Sequence, residues 1–211
     1  MSEAYNPCAV VPVYRHGKTL LGVVQAIMSR GLPVIVVDDG NEAETKGYIE
    51  GVKKTIPDVE VVTLEVNRGK GAAVLAGIFR ARDLGYTHAF QIDADGQHDA
   101  DPIAHFIEVS RQKPEAVICG YPVYGESAPA SRKNGRKITN FWVAVETLSF
   151  DIQDAMCGFR LYPVAAVCRL ASRAHLGLRM TFDIDIIVRL HWMGVPTDFL
   201  PIGVTYPEGG V

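Results

Sequence analysis

Short apolar runs alternate with helical periodicity along most of this chain. Cys8 to Val13 reads as a buried strand, and Lys18 to Arg30 as a helix with Leu20, Leu21, Val24, Ile27 and Met28 on one side. Gly31 stops that helix, and Pro33 to Val37 forms a second strand ending on Asp38-Asp39-Gly40. A polar helix from Glu42 to Lys54, a strand from Val59 to Leu64 and a loop at Asn67-Arg68-Gly69-Lys70-Gly71 follow. The loop opens a helix from Ala72 to Leu84. The fourth strand, His88 to Ile92, runs into Asp93-Ala94-Asp95-Gly96. A helix from Asp101 to Gln112 and a strand from Ala116 to Gly120 extend the alternation, and Tyr121 to Ala130 is a loop. Ser131 to Lys137 leads into a helix reaching Phe150, and Asp154 to Arg160 is a polar turn. Helices near Pro163–Arg173 and Phe182–Met193 precede a last strand from Thr197 to Tyr206.

Strands that are apolar throughout, rather than at every second position, are covered on both faces. That predicts an α/β fold in which a mainly parallel sheet lies between two helical layers. Such sheets bind ligands at the carboxyl ends of their strands. Tyr14-Arg15-His16, Asp38-Asp39 and the stretch from Asp93 to His98 all fall at those ends, so three polar clusters converge on one rim.

Composition narrows the class. With 211 residues, 48% of them hydrophobic and 21% charged, the chain is read as one globular domain, and disorder, collagen-like repeats and coiled coil are excluded. A formal net charge of −3 gives no global basic footprint, so nucleic acid is not an expected partner. The four cysteines, Cys8, Cys119, Cys157 and Cys168, form no C-x-x-C pair and read as reduced thiols of a cytoplasmic protein. Neither a signal-peptide layout nor an apolar run near the roughly 20 residues of a spanning helix is present, which leaves a soluble or peripheral chain.

Asp93 and Asp95, one residue apart at a strand end, can point to the same rim, with Gly96 allowing a sharp turn and Gln97 adding an amide oxygen. Mg²⁺ or Mn²⁺ takes a few carboxylate oxygens plus substrate phosphate oxygens, and would neutralise a departing diphosphate. The competing reading is an Asp-rich turn capping the next helix. Asp38-Asp39 offers acceptors for a ribose or a base, or equally an Asx turn. At Arg68-Gly69-Lys70-Gly71, small residues at a helix start and a lysine favour an anion, without the spacing of a Walker A loop.

Val11-Pro12-Val13-Tyr14, Val36-Val37-Asp38-Asp39-Gly40, Asn67-Arg68-Gly69-Lys70-Gly71-Ala72, Asp93-Ala94-Asp95-Gly96-Gln97 and Cys157-Gly158-Phe159-Arg160 occur in that order. Together they resemble family 2 glycosyltransferases of the GT-A fold, a three-layer α/β/α sandwich, and most nearly the dolichyl- or polyprenyl-phosphate sugar transferases. The resemblance implies an inverting, metal-dependent transferase taking a sugar from a UDP- or GDP-linked donor. It divides the chain into a donor half, 1–100, and an acceptor half, 101–211. It assigns Pro12, Tyr14, Asp38, Asp39, Gly69 and Lys70 to the donor. Asp93, Asp95 and Gln97 go to Mg²⁺ or Mn²⁺, with Asp93 and Asp95 also facing the donor. Arg15-His16 stands where the family usually has an acidic residue.

On the acceptor side, Arg132, Arg136 and Thr139 match the stretch with which such enzymes hold a lipid phosphate. Arginine forks suit phosphate, and cations sit badly at a helix N-terminus unless an anion joins them. Phe141 and Trp142 follow and could meet an apolar acceptor, with core packing as their expected fate. Asp183 takes the place of the family's base, with Asp154 as the competitor, while Cys157 reads as a buried thiol. Peripheral contact with the inner face of a membrane is expected through the lipid acceptor or the basic stretch 131–137. The chain stops at Val211 where relatives continue, so it is expected to be either a short member or a shortened chain. Two other readings remain at this point, a sugar-phosphate nucleotidyltransferase and a receiver-like signalling module built on Asp38-Asp39.

Overall fold

The computed structural model describes residues 4–96, 100–123 and 130–203, with the side chains of 130–134 excepted. Among them, β1 (Pro7–Val13), α1 (Gly17–Met28), β2 (Val34–Asp39), α2 (Ala43–Thr55), β3 (Glu60–Leu64), α3 (Lys70–Asp83) and β4 (His88–Gln91) alternate through the first half. The second half contains α4 (Ile103–Gln112), β5 (Val117–Val123), α5 (Ala130–Thr147), β6 (Arg160–Pro163), α6 (Val164–Ala171), α7 (Phe182–Trp192) and β7 (Thr197–Gly203). All seven strands join one sheet in the order β3-β2-β1-β4-β6-β5-β7, mixed but mainly parallel.

Burial follows the residue pattern. All six residues of β2 are buried, as a strand covered on both faces requires. In α1 the inward residues are Gly17, Leu20, Val24 and Ile27, a stripe at helical spacing. One core, with Ala73, Ile78, Tyr162, Phe182 and Ile186, lies under α3, α6 and α7. The other, with Leu20, Ile49, Phe90, Ile103 and Phe106, lies under α1, α2 and α4. Phe90, Phe106 and Phe159 knit the second core together, with ring centroids 4.7–5.3 Å apart.

β1 pairs in parallel with β2 on one side and β4 on the other. The chain therefore winds outward in both directions from β1, and a crevice opens between the carboxyl ends of β1 and β4. Pro12 to Tyr14 and Asp93 to Asp95 flank that crevice.

Two expectations are corrected here. Arg160 to Pro163, expected as the end of a polar turn and the start of a helix, forms β6, antiparallel to both β4 and β5. Four residues with an arginine and a tyrosine carry no strand signal, and both polar side chains are buried only because partners on neighbouring elements receive them. Phe141 and Trp142, expected in the core, are 60% and 63% exposed. The inward face of α5 is instead made by Val143 and Thr147, while Ile138, Phe141, Trp142 and Val145 form an outward apolar stripe, with Leu148 exposed just beyond the helix end. The last expected strand is described to Gly203, and its continuation to Tyr206 lies outside the described residues.

Candidate active site

A pocket of about 400 Å³ occupies the crevice beside β1. Pro12, Tyr14, Asp39, Gly69, Lys70, Asp93 and Asp95, all singled out from the sequence, line it together with Asn67, Arg179 and Met180.

Asp39 organises one wall. Its carboxylate accepts hydrogen bonds from the Asn67 amide at 2.9 Å and from the backbone N–H groups of Arg68 and Gly69 at 2.8 and 3.0 Å. Asn67-Arg68-Gly69 thus wraps around the end of β2, and Gly69 takes φ +97°, where a side chain would be strained. A Cβ there would also lie 2.6 Å from the Leu178 carbonyl oxygen and 2.7 Å from Arg179 Cγ. The bare backbone lets the segment before α7 close over the start of α3, where the Ala72 N–H donates to the Leu178 carbonyl. The first N–H groups of α3 are therefore partly engaged within the protein rather than all turned to an anion.

Asp38 is placed away from the pocket lining. Its Oδ1 accepts from the backbone N–H and side-chain amide of Asn41, which itself donates to the Val13 carbonyl and accepts from the Arg15 N–H. This is the Asx-type turn, and it ties the ends of β1 and β2 together. Both Asp38 and Asp39 are 2% exposed and engaged in such bonds, which does not suit the phosphoacceptor role of a receiver module.

Lys70 is the first residue of α3 rather than part of the preceding loop, and its ammonium lies 3.0 Å from both Asp93 Oδ2 and Asp183 Oδ2. The resemblance assigns Lys70 to the donor; it lines the pocket, and its charge is set between two carboxylates. Burial works against that charge, but Asp93 and then Asp183 outweigh it and hold the Lys70 pKa above the ordinary lysine value. Asp183, near the N-terminus of α7 and 8% exposed, shows the mirror effect. Burial would raise its pKa, yet Lys70, Arg160 and a hydrogen bond from Gln91 together hold it below the usual carboxylate range.

The Cys157-Gly158-Phe159-Arg160 segment explains itself at this point. A Cβ on Gly158 would lie 2.6 Å from Lys70 Nζ, 2.8 Å from Asp93 Oδ2 and 3.1 Å from Gln91 Nε2, so only glycine lets this turn press against the charged cluster. Behind it, Asp154 Oδ1 accepts from the backbone N–H groups of Met156 and Cys157, and Oδ2 pairs with Arg136 at 2.7 Å. Asp154, the competing base, and Arg136, an acceptor candidate, are thus brought to each other, and Asp154 shapes the turn that carries Gly158. Cys157 is buried and its thiol pKa is pushed up to about 11, which suits a structural thiol. Thr139 donates to the Gly135 carbonyl within α5. Gln97 and the Arg132 side chain lie outside the described residues.

Among the described residues no group of three His, Cys, Asp or Glu side chains is arranged to hold a metal. Asp93 and Asp95 share the pocket wall as two carboxylates. That donor set fits a hard ion such as Mg²⁺ or Mn²⁺, which completes its shell with phosphate and water oxygens. Sequence reasoning missed Gln91, Tyr162, Arg179 and Met180. A glutamine in an otherwise apolar strand is a signal for the first, whereas nothing in the local pattern marks Arg179.

Comparison with known proteins agrees with this geometry. The model of glycosyl transferase family 2 matches residues 8–176. A mouse dolichyl-phosphate β-glucosyltransferase is 30% identical over 187 residues, covering 83% of this chain and 56% of its own length. A UDP-N-acetylglucosamine–dolichyl-phosphate N-acetylglucosaminyltransferase of Methanococcus voltae is 23% identical, covering 78% and 72%. The chain spans 56% of the length of the Dictyostelium discoideum, mouse and human dolichyl-phosphate β-glucosyltransferases it matches. Among solved structures, glucosyl-3-phosphoglycerate synthase from Mycobacterium tuberculosis, determined with Mn²⁺, UDP-glucose and phosphoglyceric acid, superimposes with a TM-score of 0.72 at 13% identity. It is covered over 97% of this chain and 74% of its own, a likeness of fold. A strand order that opens a crevice beside β1, a ligand-sized pocket there and a family match across most of the residues agree, and the chain is a member of glycosyl transferase family 2, an enzyme of the GT-A fold.

Proposed function

We propose that this domain moves a sugar from a nucleoside diphosphate donor to a lipid-borne phosphate in a single displacement that inverts the anomeric carbon. The observation that carries the reading is the pocket itself. It sits at the carboxyl ends of β1 and β4 and joins an apolar, hydrogen-bonding wall (Pro12, Tyr14, Asp39) to a charged one (Lys70, Asp93, Asp95). The first wall suits a nucleoside and the second a diphosphate. A divalent ion held by Asp93 and Asp95, with Gln97 nearby in sequence, would offset charge on the leaving diphosphate.

In the step itself, an acceptor oxygen forms the new bond to the anomeric carbon while the bond to the diphosphate breaks, and the diphosphate keeps the electron pair. Lys70, its ammonium held between Asp93 and Asp183, lines the same pocket and would keep a positive charge near that leaving group. Both carboxylate oxygens of Asp183 are already engaged, one by Lys70 and one by the Gln91 amide, which favours an acceptor that arrives already anionic over a neutral hydroxyl that needs a base. Relatives named for dolichyl phosphate, an acceptor of this kind, support the choice.

The outward stripe of α5 extends the reading. A lipid acceptor must be met at a bilayer surface, and no helix among the described residues is long and apolar enough to cross one. Exposed Ile138, Phe141, Trp142 and Val145, on a helix with four basic residues in sequence at 132–137, and Leu148 just after it suit the interfacial zone of an anionic membrane.

Calorimetry with UDP and with GDP tests the core claim. One of them should bind in the presence of Mn²⁺ and lose affinity with EDTA; no metal-dependent binding of either rejects the reading. Arg179→Ala should weaken that binding by about tenfold, the scale of one charge-assisted contact. Vesicles of phosphatidylcholine with phosphatidylglycerol should sediment the wild type and much less of a Phe141→Ser/Trp142→Ser double variant. Equal sedimentation of the two would remove α5 as the contact.

A further inference from the structure

Three polar side chains stand in the middle of the sheet where the surrounding face is apolar. Gln91 on β4 is 1% exposed, and Arg160 and Tyr162 on β6 are fully buried. The antiparallel register sets Gln91 directly opposite Arg160, and Tyr162 lies two residues on, so all three point to one face of the sheet. Their neighbours there include Cys119, Phe182, Ile186 and Ile187. Burying such groups among apolar residues is costly unless each finds a partner, and the partners they find lead to one residue.

The Gln91 amide donates to Asp183 Oδ1 at 3.0 Å, the Tyr162 hydroxyl donates to Gln91 Oε1 at 3.3 Å, and Arg160 Nη1 donates to the Asp183 backbone carbonyl. Asp183 Oδ2 faces Lys70. The two carboxylate oxygens of Asp183 are thus divided, one held from inside the sheet and one by Lys70, which lines the pocket. An amide can turn end for end, and the Tyr162 hydroxyl on Oε1 keeps the Gln91 NH₂ on the Asp183 side. Arg160 holds the peptide from which Asp183 projects. Its Nε and Nη2 have no hydrogen-bond partner among the described residues, a cost that core packing alone does not explain.

We propose that Gln91, Tyr162 and Arg160 are positioning residues for the transfer step, fixing the direction of the Asp183 carboxylate and through it the Lys70 ammonium. The inference rests on the glycosyltransferase reading of the pocket. None of the three lines that pocket, so the donor does not depend on them for contact.

The test uses the full chain with UDP-glucose, Mn²⁺ and dolichyl phosphate in detergent, comparing wild type with Tyr162→Phe and Gln91→Met. Gln91→Met should lower kcat by about tenfold to a hundredfold, the range for losing a hydrogen bond to a charged group, and Tyr162→Phe by about tenfold or less. KM for UDP-glucose and the Kd for UDP with Mn²⁺ should stay within about twofold, because none of the three residues lines the donor pocket and Asp93 still holds Lys70. A crystal structure of Gln91→Met should show the Asp183 carboxylate rotated about its side chain. Unchanged kcat in both variants, a Kd for UDP that worsens in step with kcat, or an Asp183 carboxylate unmoved in the variant each overturns the proposal. A wild type that binds no nucleotide overturns the glycosyltransferase reading instead, and the orientation of Asp183 in the variant crystal still decides the positioning claim.

Discussion

Gly158→Ala is expected to silence sugar transfer while leaving the fold standing. The added methyl would meet Lys70 Nζ at 2.6 Å and Asp93 Oδ2 at 2.8 Å, both well inside contact distance. These atoms are the free ends of side chains, so the protein can relieve the clash by moving them and need not shift backbone. Gly158 is also absent from the positive-φ glycines, so alanine fits its backbone. The cost therefore falls on the site. Restoring contacts near 3.5 Å pushes the Lys70–Asp93 pair about 1 Å from its place, and a displacement of that size in a reacting geometry costs about a hundredfold in rate. Transfer assays should show that loss beside a thermal midpoint within a few degrees of wild type. A variant that keeps full turnover would mean the charged pair is not part of the reaction.

Asp183→Asn is the second large effect. Asparagine keeps the shape and removes the charge that, with Asp93, holds Lys70 in place. Transfer should fall by about 10²–10³-fold, the scale of deleting one preorganised electrostatic contact, with the Kd for UDP and Mn²⁺ little changed. Stability gives an independent readout. The folded-state pKa of Asp183 lies below its unfolded value, so its ion pair contributes stability above an unfolded pKa of about 4. That contribution is lost as pH falls through the lower, folded value. Lys70, held above its ordinary value, contributes below an unfolded pKa of about 10.4 and loses that contribution only in stronger alkali. The gap in thermal midpoint between wild type and Asp183→Asn should therefore be full from pH 5 to 9 and close on acidification below about pH 4. A gap that widens in acid would show that the pair is not formed.

The parts of the fold legible in the sequence are those in which one element repeats one pattern. Continuous Val/Ile runs at Val10–Val11 and Ile35–Val37 mark strands covered on both faces, and the polar residues just after them mark the rim. What was not legible depends on contacts distant along the chain. Lys70 reaches Asp183 from another element, and no local pattern shows that an ammonium lining the pocket is also bound to two carboxylates. Arg136 and Asp154 each suggest chemistry alone, and only the folded chain pairs them. The stripe of Ile138, Phe141, Trp142 and Val145 has the same helical period whether it faces a core or the outside, so its exposure could not be read from spacing. β6 is hidden for a related reason, since its polar residues are buried through bonds to β4 and α7 that its own four residues do not reveal.

The reversed direction of β6 has a consequence for how much change this enzyme tolerates. Because β6 runs against β4 and β5, its first residue stands level with the last residue of β4, and the segment arriving at β6 reaches the ligand rim. A strand laid parallel at that place would deliver Gly158 to the opposite edge of the sheet. The arriving segment is therefore held to a fixed length. One residue inserted between Phe159 and Arg160, with β6 slipping by one position to absorb it, would turn the guanidinium and the phenol to the other face of the sheet and leave Gln91 and Asp183 without their supports.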